Sequence, residues 1–214
     1  MSDVVSATGL SLGLSAAAVA IASLGGIPLA AALGLARSRR RDLAMLGARV
    51  AMSFPTVVVG LLVYGLFSRT GPLGRLGLLY TPQAIVVGEV VLALPLVVAL
   101  GASAIGALDP RFRDTARSLG LGRARTMRLA VSEARDGIAA AILVAFARCV
   151  TELGVALLVG GNLRGRTRTL TTAIALETSR GDFAQGIRLG VVLILLALVV
   201  NGGAALAFRR MESP

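Results

Sequence analysis

Five apolar stretches, at about 8–36, 50–67, 84–108, 137–160 and 186–208, leave this chain few ways to fold. A helix needs roughly 20 mostly apolar residues to cross a bilayer core. Within lipid, backbone polar groups must be satisfied inside the segment itself, which helices achieve. The expectation is an all-α membrane protein, a single transmembrane domain over 1–214 with five spans. A mean hydropathy of +0.83 agrees with this, and the small share of aromatics (4%) beside 26 glycines predicts close helix packing through small residues. Pro28, Pro55 and Pro95 fall inside or near the ends of the spans, where neighbouring helices must satisfy the freed backbone groups. The opening MSDVVSATG lacks the positive region of a secretory leader, so the first span is expected to be retained.

The net charge of +11 sits in the loops between these stretches, which fits membrane topology and gives no reason to expect nucleic acid as a partner. Every one of the 22 basic residues is arginine, and histidine is absent. Without lysine there is no GxxxxGK[ST] phosphate loop, and without histidine there is no HExxH zinc site or Ser-His-Asp triad. The single Cys149 excludes an internal disulfide. No catalytic residues, metal site or bound cofactor are expected, and any ATP and Mg must be held by another chain. Fourteen loop arginines fall on the side holding 37–49, 109–136 and 209–210; seven fall on the other. The positive-inside rule places the first group in the cytoplasm, with the amino terminus outside and the carboxy terminus inside.

The longest cytoplasmic segment, about 109–136, contains DPRFRDTARSLG. Asp109 and Pro110 predict an N-cap and a first helical residue, and Gly120 a left-handed terminator. Phe112, Ala116 and Leu119 fall on one apolar face, with Arg113 and Arg117 on another. Such a helix can lie on the membrane, plug into a partner's groove, or be a solvated surface helix.

Asp114, Thr115 and Ala116 followed by Gly120 resemble the E-A-A-x-x-x-G coupling loop of ABC importer permeases. Asp114 stands where Glu is usual and Thr115 where Ala is usual; Ala130, Ser132 and Glu133 replace the family's downstream I-x-L-P. FPTVVVGLLVYGLFSRTGPLG (54–74) and GGNLRGRTRTLTTAIALETSRGDF (160–183) are similar to oxyanion-importer permeases, the latter most to the tungstate-specific branch. The resemblance implies a type I importer fold and a homodimer in a prokaryotic cell membrane. It further implies two cytoplasmic ABC ATPase subunits, an extracytoplasmic oxyanion-binding protein, and alternating access driven by ATP. Asp114, Thr115, Ala116 and Gly120 would then couple to the ATPase. Tungstate is the expected cargo, with molybdate the alternative and sulfate behind it.

Glu89, Arg148 and Glu152 are ionisable positions inside the third and fourth spans. Charges at that depth should face the bundle or a water-filled path. Arg148 and Glu152 are i, i+4 neighbours, so the set is read either as a buried ionic clamp or as part of the translocation path. Cys149 is read as a small packing residue. In the outer loop, Arg164, Arg166 and Arg168 run against the positive-inside trend. They suit reception of an oxyanion, docking of an acidic binding protein, or contact with lipid headgroups. Asn162 is expected to turn the end of the fourth span. A stand-alone channel and an intramembrane enzyme are the readings outside this class; the first would transport without an ATPase.

Overall fold

The computed structural model describes residues 2–212; the side chains of Ser2, Asn201 and residues 203–212, Arg209 and Arg210 among them, lie outside the description. Among the described residues the elements are α1 (Ser2–Leu35), α2 (Arg39–Met52), α3 (Thr56–Phe67), a 3-10 turn (Gly74–Leu76), α4 (Pro82–Gly106), α5 (Arg111–Ser118), α6 (Arg123–Glu133), α7 (Arg135–Val150), α8 (Gly154–Gly160), α9 (Leu170–Ser179) and α10 (Phe183–Glu212). Three of them are long and apolar enough to cross a membrane: Asp3–Leu35, Pro82–Gly106 and Phe183–Val200. Two bent pairs, α2 with α3 and α7 with α8, bring the number to five if each pair is one span.

The spine is α1 packed on α4. Gly26, Ala30 and Gly34 recur every fourth residue and meet Val97, Gly101 and Ile105, numbers rising together on both helices, so the pair is parallel. A Cβ on Gly34 would lie 2.7 Å from Ile105 and 2.9 Å from the Ala102 carbonyl. This is small-residue packing of the kind that brings membrane helices together where hydrophobic burial gives no driving force. α7 lies antiparallel on the same pair, with Gly137 against Ala104 at one end and Cys149 against Glu89 at the other. Val19, Ala22, Ala93, Val97, Ala145 and Cys149 form the core where the three meet.

The stretch 50–67 does not run as one helix. It breaks at 53–55, with α2 and α3 bent by 95°. Pro55 cannot continue a helix begun before it and disfavours helical backbone at Phe54. α3 alone rises roughly 18 Å, short of a full crossing. The stretch 137–160 also bends, by 56°, between α7 and α8. The segment 161–182, expected as a loop, instead contains α9, whose first residues Leu170, Thr171, Thr172 and Ala173 are buried. α6 adds a second helix to the segment 109–136, with Ala130 and Ala134 packed under Ala31 and Ile105. Large apolar side chains remain exposed on α3 (Val57, Leu61, Leu62) and on α10 (Ile187, Ile194, Leu198).

Candidate functional site

One end of the bundle is built around α5, which follows α4. The helix begins at Arg111 with Pro110 at its N-cap, one residue later than expected, and Asp109 just before it accepts the Arg111 N–H on its carboxylate at 2.7 Å. At the other end the Gly120 N–H donates to the Arg117 carbonyl (2.9 Å) and the Leu121 N–H to the Ala116 carbonyl (3.0 Å). That paired closure needs a left-handed residue, and Gly120 supplies it at φ +65. Ala116 is buried and Phe112 packs against the Ala31–Ile105–Ala130 cluster, but Leu119 is 69% exposed. The expected apolar face is therefore split between core and surface. Asp114, Thr115 and Gly120 are exposed, leaving Ala116 as the inward member of that set.

Arg113 does more than populate a polar face. Its Nη2 donates to the Gly34 carbonyl at 2.8 Å, across 79 residues of sequence. From the first turn of α2, Arg41 Nε donates to the Leu33 carbonyl at 3.1 Å. α1 has no basic residue in its own last turn, so two arginines from other segments satisfy its terminal carbonyls and its partial negative charge. Local sequence carries no signal for this, because the partner helix lies far away in the chain. Burial, and after it the nearby Arg37, Arg41 and Arg117, lower the pKa of Arg113 below the ordinary arginine value.

The opposite end, around α8 and α9, is held by hydroxyls and an amide. Gly161 and Asn162 both take left-handed backbone (φ 68 and 52), turning the chain after α8. Asn162 donates to the Thr172 carbonyl at 3.3 Å and accepts from Arg168 Nε at 3.1 Å. Thr167, fully buried, donates to the Gly160 carbonyl (2.6 Å) and accepts the Leu163 N–H (2.9 Å). Thr169 and Thr172 form a reciprocal capping box at the start of α9, and Thr171 donates to the Glu152 carbonyl at 2.7 Å. The three arginines part company here. Arg164 makes a two-pronged contact with Asp3 at the start of α1, which raises its pKa, whereas Arg168 braces Asn162. Arg166 is exposed, its backbone N–H on the Leu163 carbonyl (3.1 Å) and its guanidinium, among the described residues, without a partner.

In the bundle, Arg148 Nη1 donates to Glu152 at 2.9 Å. Glu152 is not helical: it sits in the bend after α7, its side chain 1% exposed, and its other oxygen accepts the Val155 N–H at 3.2 Å. The carboxylate thus bridges the two halves of the bent span and satisfies a backbone donor freed by the bend. Glu89 is 2% exposed and its Oε2 has no hydrogen-bond partner, nor has the Ser15 hydroxyl. Cys149 is buried against the Glu89 backbone carbonyl. Among the described residues no group of three or more metal-ligating side chains occurs.

A family model described as "Binding-protein-dependent transport system inner membrane component" matches residues 26–213, nearly the whole chain. The chain belongs to that family. It is an ABC importer permease, a multi-pass membrane protein that is not itself an enzyme, since the ATPase is a separate chain. A cytoplasmic ATPase and a binding protein are accordingly its partners. The permease is 41% identical over 202 residues to a probable anion ABC transporter permease of Haloferax volcanii, covering 92% of this chain and 87% of that one. It is 44% identical over 151 residues to a tungstate uptake system permease of Campylobacter jejuni, covering 71% of this chain and 63% of that one. Its fold matches a methionine ABC transporter solved in inward-facing conformations, with a TM-score of 0.80, 17% identity, and coverage of 98% and 96%.

Proposed function

We propose that this permease carries tungstate inward, as a homodimer whose amino terminus is outside and whose carboxy terminus is cytoplasmic, forming one transmembrane domain over 1–214. The observation that carries the cargo is the 44% identity to a permease named for tungstate uptake. Molybdate, a dianion of nearly the same shape, is the second reading. Two exposed apolar surfaces, on α3 and α10, support a second copy and surrounding lipid as their cover.

In this reading α5 is the coupling helix. Asp114, Thr115 and Gly120 meet the ATPase groove, while Ala116 and Phe112 hold the helix to the bundle and Arg113 ties it to the end of α1. ATP-driven closure of two ATPase subunits pulls α5, and the pull reaches α1 through the Arg113–Gly34 bond and the Phe112 contacts. Arg166, with no partner of its own, is the outer-loop arginine free to meet an acidic lobe of the binding protein. Arg164 and Arg168 set the rim it stands on, through Asp3 and Asn162. The Arg148–Glu152 pair serves as a clamp on the bent span, and Glu89 faces it from α4. The permease holds no cofactor; ATP and Mg belong to the ATPase.

The test is titration calorimetry of the cognate binding protein with tungstate, molybdate and sulfate, followed by uptake into vesicles holding the full complex. Tungstate bound far more tightly than molybdate, with uptake requiring ATP, is the expected result. Equal affinities would make this a general molybdate and tungstate permease. No oxyanion binding would overturn the cargo, and uptake by the permease without its ATPase would overturn the coupling.

A further inference from the structure

Beside the coupling helix lies an arginine cluster that helix capping accounts for only in part. Arg41 and one nitrogen of Arg113 are used on the terminal carbonyls of α1. A second nitrogen of Arg113, Nη1, is buried and has no hydrogen-bond partner. Arg113 lines two cavities that share Leu35 and Arg117, one lined also by Arg37 and the other by Arg123. Arg37 and Arg123 have no polar partner among the described residues. Asp114 is the carboxylate lining the cavity that holds Arg37, and it stands 3.6 Å from Arg117 with both side chains exposed.

Three arginines lining one small cavity beside a single carboxylate, with a fourth lining the cavity next to it, place like charges near one another, which is unfavourable. A buried N–H without an acceptor adds a further cost. A structure that keeps both features has room, charge and donors for an anion with several oxygens, which guanidinium forks bind well. We infer that the cavity between the end of α1, α5 and α6 is a binding site for a tetrahedral oxyanion, held by Arg37, Arg113, Arg117 and Arg123. The same chemistry can come from a free ion in the cytoplasm or from the phosphate of an anionic lipid headgroup, since the site lies where α1 ends. Either ligand would tie the α1–α2 linker to α5 and so stiffen the coupling helix against the bundle. This site is independent of the cargo proposed above, and of any anion path through the bundle.

The test uses the permease–ATPase complex in nanodiscs of phosphatidylcholine alone, with saturating ADP occupying the ATPase subunits. Radiolabelled phosphate, sulfate and tungstate are titrated by equilibrium dialysis. One saturable site per permease is expected, weakened at least tenfold in the double variant R37Q/R123Q, both exposed positions outside the helix caps, and unchanged in R49Q at the far end of α2. Repeating the titration with phosphatidylglycerol in the nanodiscs separates the sources. Loss of the free-ion site, with one phosphatidylglycerol per permease retained in native mass spectra of wild type but not of R37Q/R123Q, assigns a lipid headgroup. Persistence of the free-ion site assigns a cytoplasmic oxyanion. The proposal is overturned by the absence of saturable binding in both lipids, by equal binding in R37Q/R123Q, or by crosslinking of Arg37 to an acidic residue of the ATPase that fills the space.

Discussion

The two ends of this permease are held by different chemistry. At one rim, around α8 and α9, Thr167, Thr169, Thr171 and Thr172 each place a short hydroxyl on a backbone group or on one another, all of them buried. At the opposite end α5 is held by one long guanidinium, a phenylalanine and an alanine, with cavities on both sides of it. Short buried hydroxyls with few rotamers and satisfied partners fix one geometry. A long arginine on a terminal carbonyl keeps its bond through a range of helix positions. The rim is therefore built to stay in place, and the end carrying α5 to move while remaining attached, as its proposed coupling role requires.

Removing a bond from the stiff end should have the largest effect. Thr167→Val leaves the Gly160 carbonyl and the Leu163 N–H without partners in a buried turn, for a loss of about 2–4 kcal/mol. Thr167→Ser should recover most of it. The lone buried Cys149 makes the measurement simple, because a thiol-reactive dye reports unfolding as that cysteine becomes accessible. An unchanged unfolding temperature in Thr167→Val would remove the contrast between the two ends.

At the coupling end the corresponding change is Arg113→Met, which keeps the bulk and deletes the charged donor to Gly34. The lost bond is worth about 2 kcal/mol. Its main consequence should be on coupling: uptake by the reconstituted complex falls about tenfold while ATP hydrolysis continues. Equal losses of uptake and hydrolysis would instead mean that Arg113 only stabilises the fold.

How far these features could be read from sequence depended on the range of the interaction that makes them. The start at Asp109-Pro110 and the Gly120 terminator are local, set by residues within a few positions, and the helix between them was legible to within one residue. The apolar stretches revealed the bundle, but not the bends at 53–55 and 151–153, because hydropathy reports length and not continuity. Pro55 was the available sign of the first bend. The second has no proline; Glu152 occupies it because a buried carboxylate there can take both Arg148 and a free backbone N–H. α9 was hidden among arginines and threonines that read as a loop, although Thr169 and Thr172 carry capping-box spacing with a hydroxyl in place of Glu. The seat of Arg113 on Gly34 and the distinct partners of Arg164 and Arg168 are tertiary, and sequence alone gave only that these arginines were numerous.

A smaller effect on the same comparison comes from the terminator of α5. Gly120 has open space around it, so a side chain there meets no clash, only the strain of left-handed backbone. For a β-branched residue this is about 1–2 kcal/mol. Gly120→Val should unwind the last turn, detach the Leu121–Ala116 closure, and reduce coupled uptake several-fold, whereas Gly120→Asn should lie between it and wild type. Equal activity of the Val and Asn variants would show that the turn geometry is irrelevant to coupling and that only the space beside it matters.

The smallest structural effect is expected from the rim arginines that point outward. Arg164 and Asp3 form an exposed pair, and exposed pairs contribute little because water screens them and both side chains must be immobilised. Arg164→Ala should leave the unfolding temperature unchanged, and Arg166→Ala, which breaks no bond, should do the same. What both should alter is the concentration of loaded binding protein needed for half-maximal uptake, raised severalfold at low salt and converging with wild type near 0.5 M salt. Charges that steer an encounter lose their reach once the screening length falls to about 4 Å. If Arg166→Ala raises that concentration and Arg164→Ala does not, Arg166 is the contact and Arg164 only frames it. If neither does at any ionic strength, the outer arginines serve the fold and the membrane surface, and docking rests on another part of the rim.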